Sequence, residues 1–116
     1  MHSEYFSISS NSLSKLQSFK KSRRPIICLG TTSVRVLETL AQNNFENNSG
    51  WTDLFIYPPY NFSMVHGLFT NFHLPKSTLL IMVSAFYGRK KLLEDYCAAV
   101  EEEYRFFSYG DCMLIL

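Results

Sequence analysis

The stretch Pro25-Ile26-Ile27-Cys28-Leu29-Gly30-Thr31-Thr32-Ser33-Val34-Arg35 decides the fold class, because its character changes at the glycine in its middle. Ile26 to Leu29 is a short apolar run opened by a proline and closed by Gly30, as a buried parallel strand would be. Thr31 to Gln42 then reads as a helix. The junction gathers a flexible glycine, three hydroxyls and the free N–H groups of a helix N-terminus, a place that suits phosphate or carboxylate. Neither a GxGxxG nor a GxxxxGK[ST] pattern is present, and ordinary capping by Thr or Ser accounts for the same residues.

Outward from that junction, the chain alternates. Upstream, Asn11 to Ser22 spaces Leu13, Leu16 and Phe19 as a short helix with Lys20 and Lys21 at its end. Downstream, the polar segment Asn43 to Gly50 reads as a surface loop, and Asp53 to Tyr57 as a strand stopped by Pro58-Pro59. Gly67 to Thr70 predicts another strand, Pro75 the first turn of a helix running through Thr78 to Tyr87, and Arg89 to Tyr104 an amphipathic helix. Cys112 to Leu116 is apolar throughout and predicts a final buried strand. The order α, β, α, β, β, α, α, β argues for an α/β fold, a mostly parallel sheet flanked by helices. With about four strands, below the usual mean, and no partner for the residues up to Tyr5, part of the domain is expected to lie upstream.

Bulk properties narrow the class. The 116 residues, 47% of them hydrophobic, suffice for one modest core and no second domain. A net charge of +1 excludes a global basic field, so contact with nucleic acid must come from local clusters. Cys28, Cys97 and Cys112 form no CxxC pair and read as buried, reduced thiols. The longest apolar stretch, Leu79 to Tyr87, is far short of the ~20 residues that cross a bilayer, and the N-terminus lacks the pattern of a signal peptide. A cytoplasmic monomer is the expectation.

Four segments carry groups capable of chemistry. Arg35 and Glu38, three apart on one helix, read as a surface ion pair. Asn71 and His73, with Thr70 before them and Ser77 and Thr78 beyond, pack polar groups into a loop that meets a helix start, either as a binding site or as loop-stitching hydrogen bonders. No metal site is expected, since His66 and His73 have no carboxylate at ligand spacing. Between Tyr104 and Asp111, four aromatics surround Arg105 and Asp111; Phe106 and Phe107 suit core packing, whereas Tyr109 suits a ligand. Two basic clusters differ in kind. Lys20, Lys21, Arg23 and Arg24 finish a helix, where the macrodipole alone explains them. Arg89, Lys90 and Lys91 open a helix against the dipole, which suits either RNA phosphates as their partner or a plain solvated cluster.

In order and wording, a series of these segments resembles the S-adenosylmethionine:tRNA ribosyltransferase-isomerases of queuosine synthesis. The series runs from His2-Ser3-Glu4 through Gly30-Thr31-Thr32-Ser33-Val34-Arg35 with Glu38, and Phe55-Ile56-Tyr57-Pro58. It continues through Gly67-Leu68, Thr70-Asn71-Phe72-His73-Leu74-Pro75 with Ser77-Thr78-Leu79, Val83-Ser84-Ala85-Phe86, and Tyr104-Arg105-Phe106-Phe107-Ser108-Tyr109-Gly110-Asp111. Pro59 and His66 depart from the family pattern. The resemblance implies an α/β domain with an inserted β-barrel, of which residues 1–116 are the C-terminal part after the barrel, Met1 being an internal methionine of the family.

It further implies transfer of the ribosyl group of S-adenosylmethionine to 7-aminomethyl-7-deazaguanine in tRNA, giving epoxyqueuosine and releasing adenine and methionine. S-adenosylmethionine is then the ribosyl-donor substrate, and no further cofactor is implied. Such chemistry needs an acid and a base and an anchor for the methionine carboxylate. Glu4 and Asp111 are the acid–base candidates, with His73 as a further catalytic candidate. Arg35 or Arg105, with the Thr31, Thr32 and Ser33 amides, suits carboxylate or phosphate. His2, Asn71, His73 and Tyr109 suit ribose or base, and Arg89, Lys90 and Lys91 suit tRNA. The competing expectations are an inactive or merely tRNA- or nucleoside-binding fragment of that enzyme, and a plain α/β scaffold.

Overall fold

A computed structural model describes residues 2–116; Met1, expected to be internal to the family, lies outside the described residues. The elements run β1 (Glu4–Ser7), α1 (Ser10–Lys21), β2 (Ile27–Leu29), α2 (Thr31–Gln42), β3 (Ser49–Thr52), β4 (Gly67–Asn71), α3 (Thr78–Tyr87), α4 (Arg89–Glu101) and β5 (Cys112–Ile115). The α/β class holds, and α2 spans the residues expected of it. The mostly parallel sheet does not hold. The strands form two small sheets, an antiparallel β1–β3 ribbon and a three-stranded sheet in which β2 and β4 are parallel and β4 and β5 antiparallel.

Several local readings fail for identifiable reasons. Glu4 to Ser7, short and half polar, becomes a strand because Ser49 to Thr52 pairs with it, and Tyr5 stacks edge-on against Trp51 at 5.5 Å between centroids. That pairing takes up the end of the expected polar loop, while Asp53 to Tyr57 forms no strand. There Ile56 is fully buried in the core with Leu54 packed partly buried against it, and Phe55 and Tyr57 stay exposed against each other. Further on, Pro75 lies before α3 rather than inside it, since Ser77 caps that helix by accepting from the Leu80 N–H. α4 ends at Glu101, three residues short of Tyr104, with Glu103 in a left-handed conformation.

The three-stranded sheet has two unlike faces. The row Cys28, Leu68, Ile115 is buried under α2 and the rest of the core. The next row, Leu29, Phe69, Leu114, faces outward at 78%, 38% and 46% exposure. Period-two alternation puts these rows on opposite faces, so the strands expected to be buried are covered on one side only. Of the cysteines, Cys28 is buried, and desolvation aided by the Glu38 charge pushes its thiol up to about 11; Cys97 and Cys112, expected to be buried, are exposed. No helix among the described residues is long and apolar enough to cross a membrane.

Candidate functional site

The parallel pair β2 and β4 sets the site's position. Both strands end on the same edge of the sheet, where Gly30 follows β2 and donates its N–H to the Phe69 carbonyl at 2.8 Å. β5 runs the other way and begins there, with Cys112 opposite Asn71. Gly30 to Ser33, Asn71 to His73 and Asp111 therefore converge on one edge, although they lie far apart in sequence. The carboxyl ends of parallel strands are where open α/β sheets bind their ligands.

At the first of these places, α2 starts without a side-chain cap on Gly30, whose φ of 89° is easily reached only by glycine. The first-turn N–H groups are left to other partners. Thr32 donates its hydroxyl to Glu4 Oε1 at 3.2 Å, and Ser33 turns back to the Leu29 carbonyl at 3.0 Å. Arg35, one turn on, is 3% exposed and spends its fork internally. Its NH1 meets Glu4 Oε2 at 2.6 Å, its NH2 the carbonyls of His2 and Thr52 at 2.9 and 3.3 Å, and its Nε the Leu54 carbonyl at 3.0 Å. The arginine thus ties α2 to the β1–β3 ribbon and aims Glu4. Of His2, its backbone carbonyl is what joins this cluster.

The expected surface pair of Arg35 and Glu38 does not form. Glu38 is fully buried, and its carboxylate accepts from the Ser63 N–H at 2.9 and 3.0 Å and the Met64 N–H at 3.3 Å. It clamps the loop between Tyr57 and Gly67. A carboxylate three residues from an arginine gives no sign of this role; only the topology brings Ser63 beneath it.

At the second place, Thr70 and His73 share a 2.7 Å hydrogen bond through Oγ1 and Nε2, and the His73 N–H donates to Tyr96 Oη at 2.8 Å. Burial lowers the His73 pKa from its ordinary 6.5, favouring the neutral ring. Burial likewise raises the Tyr96 hydroxyl, partly offset by its bond to the His73 backbone. Asn71 and His73 line a cavity of about 280 Å³ with Ser77, Leu79, Phe107 and Ser108. Phe107 reaches this wall because its N–H donates to the Phe72 carbonyl at 3.1 Å. Tyr96 and Phe107 were not legible as site residues, since both carry core-like patterns.

At the third place, Asp111 accepts from the Arg105 N–H at 2.7 Å and returns its own N–H to the Arg105 carbonyl at 2.8 Å. Its other oxygen lies 3.7 Å from the Arg105 guanidinium, which is 77% exposed and open to a further anion. Gly110 makes this closure possible, for a Cβ there would stand 2.5 Å from the Arg105 carbonyl oxygen. Tyr109 is 97% exposed on the tip of the same loop. Phe106 fills the core beside Phe72 and Tyr96, whereas Phe107 is half exposed. Arg89, Lys90 and Lys91 are exposed on the first turn of α4, whose N-terminus has no side-chain cap. Among the described residues, no group of three or more His, Cys, Asp or Glu could hold a metal ion.

Comparison with known proteins agrees in sequence and in fold. The family model described as Queuosine biosynthesis protein matches residues 1–115. The S-adenosylmethionine:tRNA ribosyltransferase-isomerase of Clostridium kluyveri is 52% identical over 99% of this chain and 34% of its own length. That of Acetivibrio thermocellus is 54% identical with the same coverage. The crystal structure of S-adenosylmethionine tRNA ribosyltransferase from Thermotoga maritima superposes with a TM-score of 0.87 at 46% identity, over 97% of this chain and 40% of that one. The chain spans about a third of the length of the curated relatives it matches. On the extent and identity of these matches, the chain belongs to the queuosine biosynthesis protein family.

Proposed function

We propose that residues 1–116 are the C-terminal part of an S-adenosylmethionine:tRNA ribosyltransferase-isomerase and supply one wall of its active site. The reaction moves the ribosyl group of S-adenosylmethionine onto 7-aminomethyl-7-deazaguanine in tRNA, gives epoxyqueuosine, and releases adenine and methionine. The observation that carries this reading is the convergence of the Gly30, Asn71 and Asp111 segments on one sheet edge, in a chain whose relatives bear that enzyme's name.

The chain's own groups divide the work by their fixed contacts. Glu4, held on both oxygens by Arg35 and Thr32 and still 38% exposed, is the proton-transfer carboxylate. Arg35 positions it and binds no substrate. The uncapped start of α2 and the exposed Arg105 guanidinium hold the methionine carboxylate. His73 stays neutral, and with Asn71 it hydrogen-bonds ribose or adenine in the adjoining cavity. Asp111 shapes the loop that presents Arg105 and Tyr109, and Tyr109 offers a ring for stacking. Arg89, Lys90 and Lys91 meet tRNA phosphates, and the reaction runs in the cytoplasm.

The outward row of Leu29, Phe69 and Leu114, with Leu116 at 80% exposure, favours a second statement. An apolar sheet face left open in a chain one third of its relatives' length is the seat of the remaining two thirds of the family fold, without which the site has one wall. The test replaces Glu4 by Gln in an assembly that contains that remainder. Adenine release should fall by about 10²–10⁴-fold, the usual worth of a positioned acid or base, while S-adenosylmethionine still binds in calorimetry. Unchanged release would remove Glu4 from the chemistry.

A further inference from the structure

At the opposite edge of the sheet, the start of β2 meets the loop before β4 and the end of α1. There Lys20, Arg23, Arg24 and His66 wall a concavity of about 250 Å³, with Ser63 at its side. The dipole of α1 accounts for Lys20 and Lys21, which lie on its last turn. It does not account for Arg23 and Arg24, which lie beyond the helix.

Arg23 adopts φ 56°, the left-handed conformation that follows a helix and that glycine or asparagine ordinarily fills. An arginine there costs backbone energy and brings a cation to the concavity. Arg24 follows, its N–H on the Phe19 carbonyl at 3.0 Å and its guanidinium 5.6 Å from the Phe19 ring. Lys20 is held 5.7 Å over Phe45. Neither ion pair among the described residues includes any of these three cations. His66 Nδ1 accepts the Ile26 N–H at 3.0 Å, which leaves the ring's other nitrogen free to donate. The Ser63 and Met64 amides are anchored on Glu38, so the loop that forms the wall is fixed.

Three cations outside any described ion pair and a ring donor around one small hollow suit a phosphate. We infer that the hollow walled by Lys20, Arg23, Arg24 and His66 grips a phosphodiester of the tRNA backbone, remote from the sheet edge where the base reacts. RNA as the partner rests on the proposed function; the phosphate chemistry does not.

The test is tRNA binding by fluorescence anisotropy across a salt series, with an unmodified transcript, because backbone contacts ignore the base. The R23E/R24E variant should bind at least about tenfold more weakly, and its slope of log affinity on log salt should be shallower by about one to two. R23G/R24Q, which suits the left-handed position and preserves the fold, should move both readings in the same direction. K15E, an exposed change on the same helix, should stay within about twofold of wild type. Equal affinity of wild type and both double variants, or an equal loss in K15E, would overturn the site. Submillimolar binding of inorganic phosphate with unchanged tRNA affinity in the variants would make it a small-anion site and overturn the RNA assignment. Because the transcript cannot react, a failure here leaves the adenine-release test at Glu4 untouched.

Discussion

Replacing Arg35 by Lys keeps the charge and removes the fork, and so separates a positioning arginine from one held in reserve for substrate. The guanidinium donates to Glu4 and to three backbone carbonyls, those of His2, Thr52 and Leu54. A lysine ammonium on a flexible stem keeps its bond to Glu4 and at most one carbonyl, leaving about two acceptors without a donor. The Thr52 carbonyl is buried and costs about 1–2 kcal/mol when stranded, whereas those of His2 and Leu54 are open in part to water and cost less, so R35K should lose about 1–3 kcal/mol of stability. Against a total of about 5–15 kcal/mol, that lowers the thermal midpoint by on the order of 5–15 °C. Urea titration followed by circular dichroism measures the loss directly. A double-mutant cycle of Arg35→Met with Glu4→Gln, the first change removing the bond that lysine keeps, should return a coupling of about 1–2 kcal/mol, as a charge-assisted hydrogen bond to a carboxylate 38% exposed gives. Loss below about 0.5 kcal/mol in R35K, with additive effects in the cycle, would show that the fork is not committed to the fold.

Two further outcomes follow from the other places at the sheet edge. Burial holds the His73 pKa below 6.5, so the unfolded chain binds more protons than the folded one between the two values. Stability should therefore be level above that pH and fall as the pH drops below it, and His73→Asn should flatten the decline in urea midpoints. Gly110→Ala sets a Cβ 2.5 Å from the Arg105 carbonyl oxygen and 2.6 Å from the Phe106 carbonyl. Backbone atoms cannot yield as a side-chain tip does, and the variant should lose about 2 kcal/mol or more in thermal denaturation, whereas Tyr109→Ala on the exposed tip should lose under about 0.5 kcal/mol.

The residues whose neighbours in sequence are also their neighbours in space were legible. α2 could be read from Thr31 to Gln42 because Gly30 sets its start and its own period supplies the rest, and β4 because Gly67 and Asn71 bound an apolar run. Glu4 to Ser7 could not, since a half-polar tetrapeptide becomes a strand only when Ser49 to Thr52 arrives beside it. Direction in the sheet was likewise hidden: β5 looks like any buried strand, and its antiparallel run is set by where the Arg105–Asp111 closure delivers the chain. At the sheet edge, the hydroxyls, His73 and Asp111 could be singled out by residue type, but the contacts that the fold gives them could not. Arg35 and Glu38 looked like a surface pair, and each proved to serve a buried partner that sequence spacing does not display.

The proposal that this chain is one wall of a ribosyltransferase-isomerase site is tested most directly by adenine release from S-adenosylmethionine in the presence of precursor tRNA. The chain is assayed alone and together with the two thirds of the Clostridium kluyveri relative that it does not match. Adenine should appear only in the combined sample, and Leu29→Asp on the open sheet face should abolish both association and release. Release by the chain alone at the combined rate, or a stable complex that releases none, would contradict the account.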